Sequence, residues 1–409
     1  MSRPVLNFRT KYFMKQETTR PSVRAAPRPK PWNDPRVRSV FYQLLAILCV
    51  TGAIWYLVSN TLHNLSIRNI STGFDFLSRE AGFAIGESSI AYEARDTYFR
   101  AISVGLLNTL RVAVIGIILA TIFGTIIGIS RLSKNWLVAK LATVYVETMR
   151  NIPLLLQLFF WYAIISQTMP GPRDALNPLP GVFISNRGIK LPALEGGALN
   201  WVIAGFFLAI VLIMVLASWA KKRQEKTGLV LPLGRYALAI FVFLPVLAWL
   251  ASGDRLGLEM PELKGFNFRG GITVTPEFGA LLAGLVIYTS AFIAEVVRSG
   301  IQSVNQGQWE AAGSLGLRRP LILRLIVLPQ ALRVIIPPMT SQYLNITKNS
   351  SLAVAIGYPD IVSVVNTTLN QTGQAIEGIM MIMAAFLTVS LSISAFMNWY
   401  NKRIALVEF

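Results

Sequence analysis

"WEAAGSLGLRRPLILRLIVLP", residues 309–329, departs from its surroundings. Most of the chain consists of long apolar runs, whereas this stretch opens beside an acid, passes through very small residues, breaks at Gly316 and turns basic at Arg318 and Arg319. Asn305 is placed to cap a short helix, with Gln308 at the position of a capping-box partner and Glu310 near the positive end of the helix dipole. Gly316 suits the left-handed residue that ends such a helix. Ala311, Ala312, Gly313 and Ser314 carry almost no bulk, so a second surface can approach the backbone and pair charges with Glu310, Arg318 and Arg319. The same residues also fit a plain surface turn packed on neighbouring loops.

Outward from this segment the chain reads as membrane. Apolar residues make up 53% of its 409 positions and charged ones 14%, whereas soluble domains average roughly 25% charged residues. Charge-free runs able to cross a bilayer cover 41–62, 112–129, 152–169, 199–220, 236–252, 278–294 and 378–400. An eighth, 334–347, is long enough if its helix starts upstream. The lone Cys49 excludes an intrachain disulfide, and with His63 the only histidine there is no ligand cluster for structural zinc. No glycine is followed by lysine, so the G-x-x-x-x-G-K-[ST] phosphate loop is missing. Energy for any transport has to come from a partner or from an ion gradient.

Residues 1–40 hold ten Lys or Arg, with prolines at 21, 27, 29, 31 and 35, and read as a disordered basic cytoplasmic tail. The run from Phe41 starts too late and runs too long for a signal peptide, so 41–62 is expected to be an uncleaved first transmembrane helix. With a cytoplasmic N-terminus and eight spans, the inner segments carry 26 basic residues and the outer ones 12. That asymmetry places both termini in the cytoplasm, and residues 309–329 with them.

The pattern Glu310, Ala311, Ala312, Gly316, Ile326, Leu328 and Pro329 resembles the EAA loop of ABC importer permeases. "GQWEAAGSLGL" (307–317), "VLPQALRVIIPP" (327–338), "KNSSLAVAIG" (348–357), "GLLNTL" (105–110) and "YVETMRNIPLLLQLFFWY" (145–162) narrow the resemblance to the polar amino-acid branch. The long outer loop "GFDFLSREAGF" (73–83) and the extra segment 170–275 resemble the Q-type permease subunit of general L-amino-acid importers.

The resemblance implies an all-α integral membrane protein of about eight transmembrane helices, a type I ABC importer permease fold with two inserted helices. After the first helix come a periplasmic loop (63–103), the first part of the permease core (104–169) and the insertion (170–275). The second part of the core (276–400) carries the EAA loop and is followed by a cytoplasmic tail (401–409). Glu310, Ala311, Ala312 and Gly316 are then the residues that couple to the ATPase. The implied partners are a second permease subunit, two ATPase subunits, a periplasmic amino-acid-binding protein and the lipid bilayer, with no role for nucleic acid. This chain would hold no cofactor of its own, ATP-Mg being bound by the partner ATPase. The expected place is the bacterial inner membrane, and the expected action is alternating access without catalysis by this chain. An ion-coupled secondary amino-acid transporter is the alternative, although no internal repeat is evident. A non-transporting scaffold would need no coupling helix.

Within the spans, Ala120, Gly124 and Gly128 form a small-residue stripe suited to close helix packing or to lining a path. Glu147 with Arg150 and Glu295 with Arg298 repeat the spacing E-x-x-R, which allows each pair to neutralise itself. Glu295 could equally face the path, on one side of a helix with Tyr288. Pro337 and Pro338 either kink the seventh span or break it and expose backbone groups to substrate. Asn345 and Lys348 follow near the outer end, where they could meet a docked protein or a substrate carboxylate, or where Lys348 simply snorkels. The insertion is expected at the periphery.

Overall fold

The computed structural model describes residues 35–67, 72–194, 198–228, 231–253 and 257–404; residues 1–34 of the expected tail and the last five residues lie outside them, while residues 35–40, expected to be disordered, are helical as the first turns of α1. Residues up to Ser71 form one unit and those from Thr72 a second. The first unit contains α1, an uninterrupted helix over Pro35–Ile67.

The second unit is built around α2 (Tyr98–Ser130) and α7 (Pro276–Gln302). Thr97 caps α2 by accepting the Arg100 N–H. The helix therefore starts well before the charge-free run, since Arg100 pairs with Asp96 and Arg111 with Glu87 in its N-terminal half. Among the described residues seven helical stretches are long and apolar enough to cross a membrane, and the count is eight if α3 (Trp136–Asn151) and α4 (Leu154–Ala163, continued as a π turn to Thr168), which meet at a 104° bend, are taken together as one broken span. Pro153 begins α4, and the buried Gln157 amide donates to the Met149 and Ile152 carbonyls at 3.0 and 3.1 Å, satisfying acceptors that the bend would orphan.

Between α4 and α7 lies the insertion. Helices α5 (Ala198–Thr227) and α6 (Leu233–Ser252) pack chiefly against each other, with Gly205 set against the Pro245 backbone. Strands flank this helical hairpin on both sides: β1 (Leu176–Leu179), β2 (Val182–Ser185), β3 (Gly188–Leu191) and β4 (Ala193–Leu194) precede it, and β5 (Leu258–Glu259), β6 (Glu262–Lys264), β7 (Asn267–Arg269) and β8 (Ile272–Val274) follow. An antiparallel sheet of order β1-β2-β3-β8 joins the two flanks, as does the β4–β5 pair. The fold is mostly helical, as expected, but these strands correct an all-α reading of 170–275; runs of two to four residues are too short to show a period in sequence.

The rest of the chain comprises α8 (Gln306–Ser314), α9 (Arg319–Ile322), a π turn (Leu323–Val327), α10 (Leu328–Asn349), a 3-10 turn (Ser350–Ile356), α11 (Ile361–Thr372) and α12 (Ala375–Ile404). The loop 72–97 is anchored by Phe76, buried with Ala81 and Tyr98 beside Val364 of α11.

The small-residue stripe of α2 faces α7. A Cβ on Gly124 would stand 2.6 Å from Ile293 Cβ and 2.9 Å from the Ser290 carbonyl, and one on Gly128 2.7 Å from the Ala294 carbonyl. The stripe therefore serves packing. Gly124→Ala and Gly128→Ala should each destabilise the protein by about 1–3 kcal/mol through overpacking. Gly116→Ala, whose Cβ would meet Ile346 Cγ2 at 3.4 Å, should be near neutral. Thermal unfolding of the detergent-solubilised protein measures all three.

Asp360 caps α11, accepting the Ser363 N–H at 2.8 Å through Oδ1, while Oδ2 is buried and has no hydrogen-bond partner among the described residues. It lies between the last two candidate spans. Burial pushes its carboxyl up to about 7, against the lowering effect of the amide bonds it accepts. The folded value is raised, so this group's stabilising contribution is present at low pH and declines as pH rises towards about 7. Asp360→Asn keeps the cap acceptor and removes the titration. Its unfolding midpoint should exceed that of the unaltered protein at about pH 8 and should vary less with pH below that.

Candidate functional site

The segment that opened the sequence reading folds as a capped helix. Asn305 Oδ1 accepts the Gly307 N–H at 2.8 Å. Gln308 makes no reciprocal bond to the Asn305 N–H; its side-chain oxygen instead accepts from Gln330 at 3.5 Å. At the other end Gly316 has φ +75°. Its N–H donates to the Gly313 carbonyl at 2.9 Å, and that of Leu317 to Ala312 at 3.3 Å, the paired bonds of a Schellman stop. Both ends are set by local chemistry.

What this helix presents to its surroundings depends on packing. Ala312 is 2% exposed and sits with half-buried Trp309 against Val304, Ile322, Val327 and Ala331. Ala312 thus faces the protein's own core: residues three apart share a side of the helix, and Trp309 takes that side inward. Glu310, Ala311 and Ser314 remain exposed on the other side. Leu315 is 80% exposed at the C-cap. Its signal in the sequence is a large apolar residue just before a helix-ending glycine. Glu310, Arg318 and Arg319 are exposed and form no ion pair among the described residues. A cavity of about 800 Å³ opens beside α8, lined in part by Gln302, Asn305, Trp309, Glu310 and Arg319.

Close to the end of α7, four charged side chains converge. Glu295 accepts from Arg298 at 2.5 Å and from Arg131 at the end of α2, and Arg131 also reaches Glu147 of α3 at 3.8 Å. The Glu295–Arg298 pair is as expected from its spacing. Glu147 is not paired with Arg150, however; Arg150 lies over the Phe292 ring, 5.1 Å from its centroid. Arg131 takes its place because α2 ends beside α3 and α7.

Tyr288 packs on Phe292 with ring centroids 4.9 Å apart. Neither Tyr288 nor Glu295 is hydrogen-bonded or ion-paired to Pro337, Asn345 or Lys348 among the described residues. Those three fall together elsewhere: Val334, Pro337, Ser341, Asn345 and Lys348 form one exposed stripe on α10, opposite buried Ile335, Ile336, Met339, Ile346 and Thr347. The helix is unbroken through Pro337 and Pro338. Proline has no N–H, so the carbonyls of Arg333 and Val334 lack their usual donors four residues on.

The ion cluster separates into strong and weak members. Arg131 is 10% exposed and Glu147 58%. Arg131→Ala should cost about 1–3 kcal/mol by stripping Glu295 of one donor, whereas Glu147→Ala should cost about 0.5 kcal/mol or less. Unfolding of the solubilised protein checks the order.

Residues 235–406 match the model of the family described as binding-protein-dependent transport system inner membrane component. Over 92% of this chain and 96% of the relative, it is 51% identical to the putative amino-acid ABC transporter permease protein YhdX of Escherichia coli (strain K12). Identity is 49% to the general L-amino acid transport system permease protein AapQ of Rhizobium johnstonii, over 92% of this chain and 94% of that one. It is 43% to the glutamate/glutamine/aspartate/asparagine transport system permease protein BztB of Rhodobacter capsulatus, over 92% and 95%.

Proposed function

The chain belongs to the amino-acid ABC transporter permeases, and from that premise we propose that it imports L-amino acids across the bacterial inner membrane, both termini in the cytoplasm. It is a multi-pass permease subunit working with other ABC transporter components. Family membership sets aside the ion-coupled carrier. In the proposed assembly it pairs with a second permease, two ATPase subunits that bind ATP-Mg and a periplasmic amino-acid-binding protein.

The observation that carries this reading is the two-sided α8. Its exposed side, with Glu310, Ala311 and Leu315, is suited to a groove on the ATPase, while Trp309 and Ala312 key its inner side into the cluster that contains Val297 of α7 and Ile335 and Met339 of α10. Packed side chains transmit displacement, so movement of a docked ATPase would be passed to both spans. The exposed stripe of α10, with its freed carbonyls and Asn345 amide, is the surface this subunit would turn toward its partner permease and the substrate.

Vesicles containing the full complex should show ATP-dependent uptake of a labelled L-amino acid that requires loaded binding protein. Uptake driven by an ion gradient without ATP would overturn the proposal. Leu315→Asp should lower coupled uptake at least about tenfold by placing a charge in a desolvated contact, while membrane insertion and thermal stability stay unchanged. Ala312→Leu should instead lower stability, because it overpacks the inner side. Uptake and unfolding measured in parallel separate the two.

A further inference from the structure

On the outer side a second cavity, of about 460 Å³, lies between the sheet of the insertion, the loop at Gly86, Glu87 and Ser88, and Arg111 within α2. Its lining includes Glu87, Arg111, Arg187, Lys190, Asn267 and Thr273. Glu87 is already neutralised: its two oxygens accept from Arg111 at 2.7 Å and from Thr275 at 2.5 Å. Arg187 and Lys190 have no ion-pair partner among the described residues. Lys190 donates only to the Thr273 hydroxyl, across the β3–β8 ladder, and burial lowers its pKa. The cavity thus holds two uncompensated cations, with the Asn267 amide as a further donor.

The backbone that carries these cations is fixed, with Arg187 itself exposed. Arg187 sits in the two-residue turn that joins β2 to β3, where Ser185 pairs with Gly188. Gly188 has φ +99°, and a Cβ there would lie 2.1 Å from the Val274 carbonyl, so the turn is pressed against β8. The α5–α6 excursion returns to the same sheet through β8 and leads directly into α7.

We propose that this cavity is a socket for a carboxylate side chain of the soluble amino-acid-binding protein. The proposal rests on the transport reading, which places this face outside and supplies the partner. Its chemistry is that of Arg and Lys donors around an anion. Its walls are the outer loop, the insertion's sheet and Arg111 of α2, none of them on α10, which suits docking rather than passage of substrate. Seating an acid here would connect a bound protein through β8 to α7.

The test uses the full complex in phosphatidylcholine vesicles, with ATPase rate followed against the concentration of loaded binding protein. Replacing both cations, R187Q with K190Q, should raise the KM for binding protein about tenfold or more, the scale of one lost charge-assisted hydrogen bond. It should leave kcat at saturation unchanged and flatten the salt dependence of KM, and Lys190→Arg should keep the original KM. An unchanged KM in the intact double variant overturns the socket. So does a KM shift that appears only when anionic phosphatidylglycerol is added, which would assign the cavity to lipid headgroups. Protection of Lys190 from an amine reagent by free glutamate, with KM unchanged in the double variant, would make it a small-anion site and also overturn the proposal. If loaded binding protein fails to stimulate the unaltered complex, the transport reading falls and the socket with it.

Discussion

The close approach of α2 to α7, made possible by Gly124 and Gly128, is the contact on which the second unit depends. Lipid tails are as apolar as the side chains of these helices, so no hydrophobic driving force joins them, and tight van der Waals contact has to supply the attraction. Glycine lets the Ser290 and Ala294 carbonyls of α7 come up to the α2 backbone. Helix α7 uses the same device on its other sides, with Gly284 against Leu158 of α4 and Gly300 against Ile335 of α10. Displacing α7 would therefore disturb three neighbours at once.

Helix α8 is fastened to this arrangement. The helix follows α7 after a short turn and leads through α9 into α10, so both of its neighbours in sequence are spans. Trp309 and Ala312 fasten it to them, and the caps at Asn305 and Gly316 fix where it starts and stops. The ion cluster of Arg131, Glu147, Glu295 and Arg298 ties α2 and α3 to α7 near that end. Under the proposed coupling, a force applied at α8 would meet a bundle whose ends on that side are joined by both packing and charge.

The insertion follows a different logic. Its two helices pack on each other, and its strands close the excursion by pairing the segment before α5 with the segment after α6. An excursion closed by its own sheet can be added between α4 and α7 without altering how those helices meet. It also places new polar groups, Arg187 and Lys190 among them, in the layer outside the spans.

Local signals were legible from sequence alone. Apolar windows located the spans, and Asn305 and Gly316 marked the ends of α8, because span length and cap chemistry depend on neighbours within a few residues. The start of α2 at Tyr98 was missed because Arg100 and Arg111 interrupt the apolar window, and their acidic partners became visible only in the fold. Tertiary structure decided which way each helix faces. It turned Ala312 inward, gave Arg131 rather than Arg150 to Glu147, paired short strands across the insertion and gathered Pro337, Asn345 and Lys348 on one open face of α10. In a membrane protein the lipid-facing and core-facing sides of a helix are both apolar, so hydrophobicity carries little of that information and close packing supplies the rest.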